Sequence, residues 1–258
     1  SSPARKCWTK SVKAVLVDKE CGIQLQTVDS TNTYAKKQEV SLGYWVLAEE
    51  QTAGRGRHGR QWLSQGEEKI FFSCKFSLDE VTFSLPLLSL FTGSAVLKTL
   101  QEQFPRKKSQ LALKWPNDIY LEDKKVSGIL IESEYIDTKS ILIAGVGINI
   151  YGKDKLSTSD YLSETSLGKD FKMQTIYSLI SHLNEMEFIL QNTNSIQTEL
   201  DWIYQHSTLR NKKIETTQNG EKFCGIVIGY DRNGFLIVKK DDGVTVSIMD
   251  TGPDFRVV

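Results

Sequence analysis

The stretch LALKWPNDIYLEDKKVSGILIE, residues 111–132, decides the fold. Leu111–Trp115 reads as a strand, and Pro116-Asn117-Asp118 turns the chain. Ile119–Leu121 continues extended, Glu122-Asp123-Lys124-Lys125 makes a polar turn, and Val126–Glu132 returns as a strand. Links this short join antiparallel neighbours. Working outward, Ile141–Ile150 is apolar and β-branched. Val12–Val17, Ile23–Val28, Tyr44–Ala48 and Ile70–Phe76 also read as strands. Asp29-Ser30-Thr31-Asn32 has the capping side chains of a helix start. After Pro86, Leu87, Leu90, Phe91, Val96, Leu97 and Leu100 recur at helical spacing up to about Phe104, and residues 172–206 are helical again. The expected fold class is α+β, a mixed β-sheet with helices on one face.

The character changes near residue 208. Lys212–Thr216, Phe223–Tyr230, Phe235–Lys240 and Val244–Met249 are short strands, punctuated by Asn219-Gly220, Asn233-Gly234 and Asp242-Gly243. The division expected is a larger domain over 1–207 and a small β-barrel over 208–258.

Composition narrows the class. The 258 residues carry 32 Lys+Arg against 32 Asp+Glu, with 40% hydrophobic and 25% charged residues. That excludes collagenous, disordered and membrane-spanning chains and argues against whole-chain electrostatic binding to nucleic acid. Cys7, Cys21, Cys74 and Cys224 form no C-x-x-C pair and read as reduced thiols of a cytoplasmic protein. His58, His182 and His206 lack metal-ligand spacing.

Two segments carry chemistry. Gly54-Arg55-Gly56-Arg57-His58-Gly59-Arg60-Gln61-Trp62 formally matches the dinucleotide fingerprint, with Asp79 as the ribose acid. The loop runs past Gly66 into a strand rather than a helix, which contradicts that reading. As a P-loop it lacks the lysine and the hydroxyl. A solvated arginine-glycine loop touching RNA is the bland alternative. The chemistry favours an anion site: three guanidinium forks repel one another unless an anion, or a carboxylate such as Glu49 or Glu50, joins them. Trp62 offers a flat face for a base or an apolar ring. In the second segment, alternation puts Lys125, Ser127 and Ile129 on one face, with Gly128 leaving room for a bound anion. Lys124-Lys125 alone would also suit a solvated hairpin tip. Gly145 to Asn149 ends an apolar strand in an amide.

Taken together, Asp29 to Asn32, Glu50 to Ala53 with the Gly-Arg loop, Lys114 to Glu132 and Gly145 to Asn149 resemble the biotin protein ligases, in that family's order and spacing. The resemblance covers roughly residues 25–150. It implies a class II synthetase-like catalytic sheet and a C-terminal SH3-like barrel. It implies a reaction in which biotin and ATP give biotinyl-5′-AMP with Mg²⁺ assistance, followed by transfer to a lysine of a biotin carboxyl carrier domain. It places Ser30, Thr31, Asn32, Gln51, Gly54, Arg55, Arg57, Lys125 and Gly128 around biotin. Arg57 matches the arginine that retains the adenylate, and Lys125 the lysine between the biotin carboxylate and the α-phosphate. Arg57, Arg60, Trp62, Asn117, Lys125 and Asn149 fall at the nucleotide, and Asp118 with Asn149 at the metal end. Lys125, Arg57 and Asp118 carry the catalytic roles, Asp118 orienting the incoming amine or accepting its proton. His58 stands where an arginine is common. Lipoate or octanoate ligases of the same fold are the alternative, although their arginine-glycine-glycine-glycine pattern is missing. Only 29 residues precede Ser30, so the form without an N-terminal DNA-binding domain is expected, with no DNA or membrane partner, as a monomer or homodimer.

Overall fold

A computed structural model describes residues 16–62, 68–78, 83–136, 139–153, 160–218, 220–252 and 254–258. Most of the expected Val12–Val17 strand, together with Cys7, Gly66, Asp79 and Asn219, lies outside the described residues; Leu16 and Val17 are buried but not in a strand. Among the described residues, β1 (Gly22–Val28), β2 (Trp45–Gln51), β3 (Glu68–Ser77), β4 (Leu111–Lys114), β5 (Asp118–Leu121), β6 (Lys124–Ile136) and β7 (Lys139–Tyr151) form a seven-stranded sheet. Its order is β1-β2-β3-β7-β6-β5-β4. Only the β1–β2 pair is parallel, so the sheet is mixed, as the sequence requires.

Strict alternation divides β2 and β7 between two apolar layers. Trp45, Leu47, Leu142 and Ala144 join the main core, whereas Val46, Ile141 and Ile143 join a smaller cluster with Ala35 and Val40. Three longer helices, α2 (Leu85–Gln103), α3 (Gly168–Leu190) and α4 (Thr193–Gln205), contribute to the main core. The short α1 (Thr31–Ala35) covers the opposite face. The expectation of helices on one face is therefore corrected: the longer three share a face, and α1 builds the site on the other.

Helix α2 begins where Ser84 accepts a hydrogen bond from the Leu87 N–H, with Pro86 in the first turn. It is buried nearly all round because it is sandwiched between the sheet and α3. Gly93 lets it approach closely: a Cβ there would lie 2.9 Å from Leu113 Cδ1 and 3.9 Å from Ile129 Cδ1.

The C-terminal strands β8 (Lys213–Gln218), β9 (Glu221–Tyr230), β10 (Leu236–Lys240), β11 (Thr245–Ile248) and β12 (Arg256–Val257) form an antiparallel sheet in the order β11-β10-β9-β8-β12. Val227, Tyr230, Leu236, Val238 and Ile248 belong to the same apolar core as α2. The turn at Asn233-Gly234 is a joint as well as a hairpin. The Gly234 carbonyl accepts Trp115 Nε1–H at 3.0 Å, and the Asn233 carbonyl accepts the Ser84 hydroxyl at 2.5 Å.

Gly234 has φ +76°, and a Cβ there would lie 2.6 Å from the Leu87 backbone nitrogen. Gly234→Ala is expected to destabilise the fold by about 2–4 kcal/mol, through a left-handed backbone and a collision with backbone that has no room to retreat. Urea unfolding checks this; an unchanged midpoint would show that the joint gives freely.

Candidate active site

The floor of the site is built by α1. Ser30 caps the helix, which aims Thr31 and Asn32 down onto the sheet. Gln51 Oε1, at the end of β2, accepts the Thr31 N–H at 2.7 Å and its hydroxyl at 3.1 Å. Ser73 Oγ lies 2.7 Å from Thr31 Oγ1 and 2.6 Å from Asn32 Oδ1. The Asn32 amide donates to Glu132 Oε2 at 2.8 Å and to the Leu130 carbonyl at 3.3 Å. Ser30, Thr31, Asn32, Gln51 and Ser73 are all buried, so the floor is a satisfied polar network of the kind that holds its members rigidly. Gly145 makes it possible, because a Cβ there would lie 2.2 Å from Asn32 Oδ1.

Glu132 ties this floor to the arginine loop. Its carboxylate meets Lys36 Nζ at 3.0 Å and Arg55 Nη2 at 3.2 Å. Burial alone would raise its pKa, but hydrogen bonds from Asn32 and Lys36 and the charges of Lys36 and Arg55 outweigh that and hold it below the usual carboxylate value. A depressed folded pKa gives stability that is complete above the unfolded value, about 4.3. It disappears as pH falls through the folded value. Glu132→Gln is therefore expected to flatten the loss of stability on acidification, measured as urea midpoints near neutral pH and below that unfolded value; parallel profiles for the two proteins would contradict it.

Beside the floor runs a second row. Asp118, Gly128 and Gly147 stand opposite one another across β5, β6 and β7. The β5–β6 register shifts between Ile119 and Tyr120, which pair with Ser127 and Lys125. The extra residue, Val126, is a β-bulge and is fully buried. The bulge overturns the expected alternation. Lys125 does not share a face with Ser127 and Ile129; its Nζ lies 3.0 Å from where a Gly128 Cβ would stand, while Ile129 faces α2. Lys125 Nζ also meets Asp118 Oδ1 at 2.7 Å and lies 5.1 Å from the Trp62 ring centroid. Trp62 covers the glycine row: a Cβ at Gly128 or Gly147 would come within 2.6 Å of its indole.

The glycine-arginine loop is a small hairpin. Arg55 bridges Gln61, the Trp62 N–H donates to the Gly54 carbonyl at 2.9 Å, and the Gly56 N–H to the Arg60 carbonyl at 2.7 Å. At its tip, His58 is left-handed with φ 54°. The glutamates suggested as arginine partners are not the ones used. Glu49 pairs with Lys172 at 2.6 Å, Arg55 with Glu132, and Arg57 with Asp250 in the loop after β11 at 2.9 Å. Asp250 also meets His58 Nε2 at 3.1 Å. Arg60 has no ion-pair partner among the described residues.

Ser30, Thr31, Asn32, Gln51, Arg55, Arg57, Arg60, Trp62, Asn117, Asp118, Lys125 and Gly128 all line one cleft of about 430 Å³. Gly54 stands outside the lining, where its lack of a side chain admits the Trp62 carbonyl and the Gln51 amide. Asn117 faces the cleft, but its side-chain amide already donates to the Ile129 carbonyl at 2.8 Å. Asn149 also lies outside the lining; its amide nitrogen reaches the Asp160 carbonyl at 3.4 Å, while its buried Oδ1 has no hydrogen-bond partner among the described residues. An orphaned carbonyl oxygen and the Asp118 carboxylate suit a hard cation such as Mg²⁺, which takes few protein oxygens and completes its shell with phosphates and water.

Sequence reasoning missed several contributors. In the sequence, Ser73 and Glu132 signal no more than membership of a strand. Gly145 and Gly147 were legible as an alternating glycine pair, the signal of close approach. Asp250, Thr251, Gly252 and Phe255 carried no local signal, yet the last three line the cleft and the first grips Arg57.

Fold and site together define a mixed-sheet domain with a polar floor, a cationic wall and a hairpin lid: a cleft for a small molecule with a neutral polar head and an anionic tail. The sequence model of the Biotin/lipoate A/B protein ligase family matches residues 24–149. The chain is similar to the "Biotin--[acetyl-CoA-carboxylase] ligase" of Mycobacterium tuberculosis, at 34% identity over 75% of this chain and 72% of the relative. It is also similar to the "Bifunctional ligase/repressor BirA" of Escherichia coli, at 27% identity over 84% of this chain and 68% of the relative. Among solved structures, the biotin protein ligase of Aquifex aeolicus in complex with biotin and ATP superposes with a TM-score of 0.74 at 29% identity, covering 92% of this chain and 98% of that one. This chain belongs to the biotin/lipoate protein ligase family, and within it to the biotin protein ligases.

Proposed function

We propose that this protein activates biotin with ATP and transfers it to a lysine of a biotin carboxyl carrier domain. The observation that carries the reading is the meeting, in one cleft, of the Thr31–Asn32–Gln51 floor with the Lys125–Asp118 pair and the arginine hairpin. In the first step a biotin carboxylate oxygen attacks the α-phosphorus. The bond to the β-phosphate oxygen breaks, and pyrophosphate leaves. Two anions must approach each other, and Lys125, Arg57 and Arg60 offset that repulsion, most strongly as charge grows on the phosphoryl oxygens. Asp118 and Asn149 are the residues that would hold Mg²⁺, which would supply further neutralisation of the phosphates. In the second step a neutral carrier amine attacks the acyl carbon. The acyl–phosphate C–O bond breaks, AMP leaves, and the amine gives up a proton. When Lys125 turns to the ligand, Asp118 is released to orient that amine or take the proton. Closure of the hairpin and Trp62 keeps water from the mixed anhydride.

The floor favours biotin over lipoate or octanoate. A ureido group can exchange hydrogen bonds with the Thr31–Asn32–Gln51 network, which an apolar acyl tail cannot do. The C-terminal sheet fits an SH3-like barrel and the chain divides near residue 208 in this reading, at the link from α4 to β8. A cytoplasmic setting agrees with the free thiols Cys74 and Cys224. Among the described residues, no helix is long and apolar enough to cross a membrane.

The test mixes the protein with labelled ATP and biotin and follows pyrophosphate, with octanoate and lipoate as competitors and then a carrier domain as acceptor. Biotin-dependent release, uncompeted by the fatty acids and followed by labelling of one carrier lysine, is the expected result. Absence of biotin-dependent release would refute the reading.

A further inference from the structure

The arginine hairpin is pinned at two places. Its base is tied to the large sheet through Arg55 and Glu132. Its tip, residues 57–59, buries none of its residues, so no apolar packing holds it down. What it does have is Asp250. One carboxylate oxygen of that residue meets Arg57 Nη2 at 2.9 Å and His58 Nε2 at 3.1 Å. The other oxygen accepts the Thr251 N–H at 2.8 Å, which fixes the orientation of the carboxylate. Thr251 and Gly252 line the cleft together with Arg57 and His58. The contact thus joins two walls of the same cavity, contributed by parts of the chain 193 positions apart.

We propose that Asp250 is a positioning residue, a latch from the loop after β11 that holds the hairpin tip over the cleft and sets how long the acyl adenylate stays bound. This rests on the function proposed above. Arg57 has five N–H donors, and the latch takes one of its nitrogens, leaving the others for a ligand anion. Asp250 also supplies negative charge to a hairpin that carries Arg55, Arg57 and Arg60 within six positions, where mutual repulsion would otherwise favour opening. The left-handed backbone of His58 disfavours the turn, so an external tether is what the closed tip requires.

Two measurements on the full chain separate the latch from the proposed reaction. The first needs no ligand: trypsin cleavage after Arg60 under native conditions. Asp250→Asn is expected to speed cleavage about threefold to fivefold, the scale of one partly exposed ion pair, with Asp250→Glu restoring protection and the urea midpoint unchanged. In an Arg57→Gln background the same substitution should have less effect. The second follows release of pre-bound biotinyl-5′-AMP, expected to quicken by a similar factor in Asp250→Asn. Unchanged cleavage, or an equal effect with and without Arg57, would overturn the latch. Faster cleavage with unchanged release would overturn its role in retention. If the unsubstituted protein neither forms nor binds the adenylate, the functional reading fails while the cleavage comparison still decides the latch.

Discussion

Lys125→Ala is expected to slow biotin-dependent pyrophosphate release by about 10²–10³-fold, the loss typical of removing one preorganised charge donor from a transition state. The side chain is placed for that role by three features. The bulge at Val126 turns it onto the cleft face, the missing Cβ at Gly128 gives its ammonium room, and Asp118 at 2.7 Å orients it. The effect of the substitution on folding should be small. Lys125 and Asp118 both line the cleft and are partly exposed, and such pairs contribute about 1 kcal/mol. Biotin affinity should fall far less than the rate, because the polar floor is untouched. The measurement is pyrophosphate release at saturating substrates beside calorimetric biotin binding. A rate within about threefold of the unsubstituted protein would correspond to almost no lost transition-state stabilisation and would remove Lys125 from the chemistry. Lys125→Arg should rescue poorly, since a planar fork does not replace a compact ammonium wedged against Gly128 and Trp62.

Gly145→Ala is the second large effect. Its methyl would stand 2.2 Å from Asn32 Oδ1 and 2.8 Å from Asn32 Cγ. Asn32 cannot retreat, because Ser73, Glu132 and the Leu130 carbonyl hold its amide from three directions. Relief must come from moving α1 off the sheet, which breaks the floor. A biotin affinity weaker by about 100-fold or more, with a stability cost of about 2–4 kcal/mol, is expected. Gly147→Ala is the control. Its methyl would meet the Trp62 indole at 2.6 Å, and that side chain belongs to a hairpin with somewhere to go. It should weaken binding while leaving the urea midpoint nearly unchanged. Equal stability losses in the two variants would show that the glycine row, not the Asn32 network, governs the fold.

Much of the fold was legible because its signals are local. The apolar, β-branched run Ile141–Ile150 marks a buried strand, and hairpin-length links around Asp118 and Glu122 require antiparallel neighbours. Ser84 with Pro86 marks a helix start, and Asn233-Gly234 marks a turn. The bulge beside Lys125 was not legible, because one inserted residue leaves composition and approximate period unchanged while moving each later side chain of the strand to the opposite face. The face chosen by α1 was equally hidden: a five-residue helix has too short a pattern to declare a side.

The sequence by itself determined which side chains are available to the cleft, since a glycine-arginine run, a lysine beside Gly128 and the Ser-Thr-Asn cap are chemical types that stand in the chain before it folds. Tertiary structure decided their partners. Glu132 rather than Glu49 neutralises Arg55, and Asp250 holds Arg57 from the far end of the chain. The reason is physical: a charge takes the carboxylate that packing brings within about 4 Å, and that distance depends on sheet order and the docking of the C-terminal strands rather than on separation along the chain.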